Sequence, residues 1–145
     1  MSPIIHSHSF RVRYGETDQM GVVYHANYLN WFEMGRTELI RSAALSYRQL
    51  EEKGVLLPLT DAVVSYKKPA RYDDLLEVRT IVEEITPVRL TFAYEIYRMP
   101  DEELLVTGKT MHVFTSTSLR PIRLNRVEPE LYQWLELQQQ GEGAR

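Results

Sequence analysis

The stretch Asp18-Gln-Met-Gly-Val-Val-Tyr-His-Ala-Asn-Tyr28 holds the side chains best suited to chemistry in this 145-residue chain. An aspartate stands in a loop bounded by Gly15 and Gly21, shortly before an apolar segment with helical spacing. Helix N-termini expose N–H groups and carry a partial positive charge. Such a terminus can hold a developing oxyanion, and a carboxylate beside it is favoured in its charged form. An ionised aspartate next to an oxyanion site can act as nucleophile or general base in acyl transfer. The same position also suits an aspartate that only closes a turn, with His25 and Tyr28 merely packing, since Asp is a favoured turn residue. Spacing alone leaves both readings open.

Other chemistries are poorly served. The chain has no cysteine, which removes disulfides, thiol catalysis, iron–sulfur clusters and thiolate metal sites. His6 and His8 stand two apart on one expected strand and His112 on another, with no third ligand nearby, so no metal is expected. Neither a G-x-S-x-G elbow nor a G-x-x-x-x-G-K-[ST] phosphate loop occurs. The 17 basic and 20 acidic side chains give a net charge of −3, which argues against nucleic acid as the main partner. No apolar run approaches the roughly 20 residues that span a bilayer. The opening Met-Ser-Pro-Ile-Ile-His lacks the pattern of a signal peptide. With 43% hydrophobic and 26% charged residues, a soluble, cytoplasmic, globular protein of one domain is expected.

The elements that must position Asp18 follow from periodicity. From His8 to Tyr14 the pattern alternates, with His8, Phe10, Val12 and Tyr14 on the buried side of a strand. From Asn27 to about Leu45, Tyr28, Trp31, Phe32, Gly35, Leu39, Ile40 and Ala43 share one helical face, with either Asn27 as the N-cap or a start up to a turn earlier. Gly35 costs about 1 kcal/mol relative to alanine in a helix, a cost tolerated if that face lies close against another backbone. A short helix over Tyr47–Lys53 ends at Gly54. Strands are expected at Asp61–Lys67, Leu75–Ile85, Val88–Arg98 and Leu104–Thr115, with turns at Pro87 and Pro100-Asp101. Pro129 opens a last helix, to about residue 138, that carries Leu131, Trp134 and Leu135 and frays in its Gln-rich end. One long apolar helix and a run of hairpin-linked strands bury each other only if the sheet wraps the helix, a two-layer α+β arrangement. One helix covers only part of five strands, so an edge or outer face of the sheet is a candidate for self-association.

Asp18-x-x-Gly21-x-Val23-Tyr24-His25-x-Asn27-Tyr28, followed by Trp31-Phe32 and Arg36, resembles the signature of hot-dog-fold acyl-CoA thioesterases of the 4-hydroxybenzoyl-CoA thioesterase type. Pro69-Ala-Arg-Tyr-Asp-Asp-Leu-Leu76 resembles the turn between two sheet strands of that family, and the likeness runs from about Phe10 to Arg120. The resemblance implies an antiparallel sheet of about five strands around a central helix, in a single hot-dog domain with its core over about residues 8–120. It implies an acyl-CoA substrate, no cofactor, and Asp18 as the carboxylate that attacks the thioester carbonyl or activates water. The backbone N–H of His25 would polarise the carbonyl oxygen, with Tyr24 shaping the site and Asn27 and Tyr28 matching the substrate-binding part of the motif. Histidine is common at position 25 in the bacterial branch of the family acting on aliphatic acyl-CoAs, and the resemblance leaves its side chain either orienting water or substrate or only packing.

Coenzyme A carries a diphosphate and a 3′-phosphate, so its site needs fixed cations. Lys67, Lys68 and Arg71 lie around one strand end, Arg89 starts another strand, and Arg120, Arg123 and Arg126 follow the last. Arg120 falls where the family has a nucleotide-contacting arginine, and Arg89, Arg123 and Lys68 complete the expected set. The resemblance also implies a site built across a subunit interface, hence a homodimer at least and a tetramer by analogy. Two other functions on the same fold compete with hydrolysis. One is a non-catalytic acyl-CoA-binding regulator; the other is a hydroxyacyl-thioester dehydratase that uses a histidine near the central helix.

Overall fold

In the computed structural model, which describes residues 2–43 and 47–141, the chain forms one antiparallel sheet and a long helix packed across it. The elements are β1 (His6–Arg11), α1 (Asn27–Arg41), α2 (Tyr47–Glu52), β2 (Leu59–Tyr66), β3 (Leu75–Ile85), β4 (Arg89–Met99), β5 (Glu103–Val113), α3 (Leu124–Val127) and α4 (Pro129–Gln140). The strands lie in the order β1-β3-β4-β5-β2. The tight hairpins β3–β4 and β4–β5 form the centre, where Leu75 pairs with Met99 and Arg89 with Val113. The strand that precedes them in sequence, β2, is thereby forced to the far edge against β5.

The apolar stripe of α1 explains its place. Tyr28, Trp31, Phe32, Gly35, Leu39 and Ile40 are all buried, and Phe32 stacks on Tyr94 of β4 with centroids 4.4 Å apart. Full burial of such side chains stabilises by about 1.5–3 kcal/mol each. Gly35 lies against side chains rather than a backbone: a Cβ there would strike the Thr80 hydroxyl and the Val78 methyls of β3. At Gly108 a Cβ would run into the Phe32 ring, so close packing at both ends of this layer depends on missing side chains.

Several expectations need correction. The first strand starts at His6 and stops at Arg11, so Tyr14 leaves the buried row; it is 77% exposed and meets Tyr72 edge to face. The N-cap of α1 is Ala26, because Asn27 already has a helical position and uses its side chain elsewhere. The glutamine-rich end does not fray before Gln140. Gln138 is buried, accepts from His6 Nε2 at 2.8 Å, and its carbonyl takes the Ile4 N–H. The short helix α3 had no periodicity to reveal it.

A chain of buried hydrogen bonds crosses the sheet under α1. Tyr94 Oη and Thr110 Oγ1 are 2.6 Å apart, Thr110 Oγ1 and His112 Nε2 2.9 Å, and His112 Nδ1 lies 3.2 Å from Leu57 O. Leu57 O can only accept, so Nδ1 carries the hydrogen and Nε2 receives the Thr110 hydroxyl. The tautomer follows from the partners. Burial, with the Arg36 charge nearby, pulls the His112 pKa down to about 4 despite the Leu57 contact.

Candidate active site

The loop bearing Asp18 leaves β1 through a single 3-10 turn at Tyr14–Glu16 and returns to the start of α1. One residue clasps both ends. The Glu16 carboxylate accepts from Arg13 N at 2.7 Å and from Trp31 Nε1 at 3.0 Å. Its carbonyl accepts from Tyr24 N and from Asn27 Nδ2, both at 2.9 Å. Within the loop, Asp18 N donates to Val22 O at 2.8 Å and Gly21 N to Asp18 O at 3.0 Å. Gly21 makes this reversal at φ +79°, where a side chain would be strained.

Asp18 is half-buried, and its two oxygens differ. Oδ1 accepts from Met20 N at 2.8 Å and Val22 N at 3.4 Å. Among the described residues no donor reaches Oδ2. The turn-closing and chemical readings are therefore compatible: one oxygen orients the group and the other is uncommitted.

At the start of α1 the cap residue has no side-chain acceptor to offer. The N–H groups of Asn27, Tyr28 and Leu29 bond back to the carbonyls of Tyr24, His25 and Ala26. Those of His25 and Ala26 meet no acceptor among the described residues. Two free donors thus sit at the positive end of a 15-residue helix.

Beside them lies a cavity of about 240 Å³ lined by Val23, His25, Tyr28, Tyr66, Lys67, Lys68 and Pro69. Tyr66 closes one wall: its hydroxyl donates to His25 O at 3.2 Å and its ring meets Tyr28 edge to face. The Tyr28 hydroxyl accepts from Ala70 N at 3.2 Å, and burial raises its pKa, so it stays protonated. The exposed His25 ring packs on Tyr24 at 4.3 Å. Of the residues expected from sequence, the fold brings His25, Tyr28 and Lys68 to this cavity. Asp18 lies outside its lining, and Asn27 is committed to the Glu16 carbonyl.

The cations fall into two groups. Lys68 is paired with Glu103, whereas Lys67 has no ion-pair partner among the described residues. Arg89 opens β4 at the far end of the sheet, Arg120 bonds through its backbone to Ser116 beyond β5, and Arg123 caps α3. The 11 residues of β4 separate the two ends by about 35 Å at the usual strand rise. Within one protomer, Arg89, Arg120 and Arg123 are a sheet-length away from Asp18. The same far end, where β2 begins, holds a second cavity of about 400 Å³ between Glu33, Arg36 and Thr37 of α1 and residues 55–58.

Reading the sequence missed Glu16 and Tyr66. Glu16 had a signal: a tryptophan placed on the buried face of a helix needs an acceptor for its indole N–H. Tyr66 had none, because its role depends on β2 ending beside the start of α1.

A five-stranded antiparallel sheet wrapped on one helix, with an aspartate loop at that helix's start, defines the hot-dog class. A family model described as the thioesterase-like superfamily matches residues 12–135, and the chain belongs to that superfamily. The Bacillus subtilis protein YneP is 42% identical over 82% of this chain and 86% of its own length. The Escherichia coli acyl-CoA thioester hydrolase YbgC is 38% identical over 59% of this chain and 64% of its own. Among solved structures, the DHNA-CoA thioesterase of Staphylococcus aureus superposes with a TM-score of 0.89 at 35% identity, covering 98% of this chain and 96% of that one. The protein is a thioester hydrolase.

Proposed function

We propose that the protein hydrolyses acyl-CoA thioesters with Asp18 as the acting carboxylate. The observation that carries this reading is that one loop holds an uncommitted carboxylate oxygen on Asp18 and leads directly into a helix start with two free N–H groups. The carbonyl oxygen of the substrate sits at the N–H groups of His25 and Ala26, which strengthen their hold as negative charge develops. Asp18 Oδ2 then adds to the carbonyl carbon or takes a proton from an attacking water. The C–S bond breaks and the thiolate of coenzyme A leaves, taking up a proton from water. Where Asp18 has added directly, a water then cleaves the acyl–aspartyl anhydride. Either route consumes one water, releases the acyl group as a carboxylic acid and returns Asp18 unchanged. No redox change or bound cofactor enters this balance. Both YneP and YbgC are named for acyl-CoA thioester hydrolysis, which agrees with this substrate class.

The working unit is a homodimer joined through β2. This strand is exposed along both faces, with only Val64 half-buried, and among the described residues one of its edges has no partner. Antiparallel pairing of two such edges about a twofold axis lays the Leu59 end of one subunit beside the Tyr66 end of the other. The partner's Arg89, Arg120 and Arg123 then come to the Asp18 side, together with the cavity at Glu33 and Arg36. Lys67 serves the phosphates from the same protomer as Asp18.

The test is release of free thiol from short, medium-chain and aromatic acyl-CoAs. Asp18→Asn folds normally and loses at least about a hundredfold in kcat, the scale for removal of a positioned acid–base or nucleophilic group. Equal rates in the two proteins reject the role of Asp18. Tight binding of acyl-CoA without turnover by the wild type favours a regulator.

A further inference from the structure

We propose that Glu16 is a positioning residue for this chemistry, setting the place of Asp18 relative to the free N–H groups of His25 and Ala26. The inference rests on Asp18 being the acting carboxylate. Four donors from three parts of the chain converge on Glu16: Arg13 N after β1, Tyr24 N at the loop's far end, and Asn27 Nδ2 and Trp31 Nε1 from α1. The Arg13 guanidinium adds a contact at 3.6 Å, and the Glu16 side chain is only 12% exposed. Toward the sheet, the chain is tied before Asp18 by Val12, whose N–H donates to Asp74 O and whose carbonyl accepts from Asp73 N, both at 3.0 Å, and by the Tyr14–Tyr72 ring contact. After Asp18 it is tied by Val23 N to Ala70 O and the Val22–Arg71 bridge. None of these ties reaches α1. The side that leads into Asp18 is located against α1 through Glu16.

The site calls for a carboxylate. Glutamine has one acceptor oxygen, so its NH₂ group would face either Arg13 N or Trp31 Nε1, donor against donor. One clasp must open, and the loop then shifts relative to the helix start. A displacement of about 1 Å at a reacting group costs about a hundredfold in rate, so partial release costs about tenfold or more. Glu16 touches neither Lys67 nor the cavity at His25, so binding of the coenzyme A moiety is unaffected.

Steady-state kinetics on the best acyl-CoA of the panel would compare the wild type, Glu16→Gln, Asp18→Asn and the double variant. The expected result for Glu16→Gln is a fall in kcat of about tenfold or more with KM within about twofold. The Trp31 indole N–H resonance shifts, and the double variant is no slower than Asp18→Asn alone. An unchanged kcat, a KM that rises in step with the loss, or a second full loss in the double variant overturns the proposal. If Glu16→Gln does not fold, Trp31→Phe removes the indole donor while keeping an aromatic ring against Phe10 and Tyr28, and shows the same kcat-only loss; a wild-type rate there overturns the idea as well. Asp18→Asn separates the two claims. Full activity in that variant defeats the reading of Asp18 and the role of Glu16 with it, whereas loss there with an intact Glu16→Gln defeats Glu16 alone.

Discussion

Acidification should weaken the fold through one buried histidine. His112 is 2% exposed, neutral, and fixed in one tautomer between Thr110 and Leu57. Its pKa falls from the ordinary 6.5 to about 4, chiefly through burial. Below pH 6.5 the unfolded chain takes a proton at this residue and the folded chain does not. The stability contributed by neutral His112 is therefore complete above pH 6.5 and is lost as pH falls toward 4. At about 1.4 kcal/mol per pH unit, the loss by pH 4 is about 3 kcal/mol. For a domain of this size that corresponds to a drop of about 6–12 °C in Tm. Urea unfolding of the wild type and His112→Gln at pH 7 and pH 4 isolates this contribution from the carboxylates. The wild type should lose about 3 kcal/mol more than the variant between the two conditions. Parallel losses in both proteins would refute the account, because the proton uptake would then belong to other groups.

Two more outcomes follow from the contacts. Tyr28→Phe strips the acceptor from the buried Ala70 N–H, a loss of about 1–3 kcal/mol in thermal or urea unfolding, while KM stays within about twofold. A large rise in KM without a change in stability would make Tyr28 a substrate contact instead. Arg120→Ala raises KM for acyl-CoA more than it lowers kcat, since a phosphate contact remote from the carbonyl adds mostly uniform binding; an unchanged KM in steady-state assays removes that residue from the coenzyme A site.

Much of the architecture was legible because one-dimensional periodicity records burial. The face of α1 from Tyr28 to Ile40 and the limits of β3 emerge as read, for each depends on a single packing partner. Tyr14 did not, because alternation continues in sequence after the strand has ended and nothing local marks the turn. At the site, Asp18 and the helix start were visible as neighbours in the chain, and a loop carries such neighbours together. The clasp at Glu16 and the wall at Tyr66 join segments that are distant in sequence, and spacing holds no record of such meetings. The arginines teach the opposite lesson. Grouped by charge in the sequence, they are parted from Lys67 and Lys68 by the length of a strand.

The strand order also governs when the fold can close. Among the described residues β2 pairs with β5 alone, which ends at Val113, and β1 waits in the same way for β3. During synthesis the first half of the chain emerges with its strands unmatched and with the apolar stripe of α1 lacking the hairpins that cover it. Pairings of such long reach are entropically costly to form early, so collapse to the native layer is a late event. A chain cut short before residue 113 would have no smaller domain to retreat to, and would expose that stripe to solvent or to other unfinished chains.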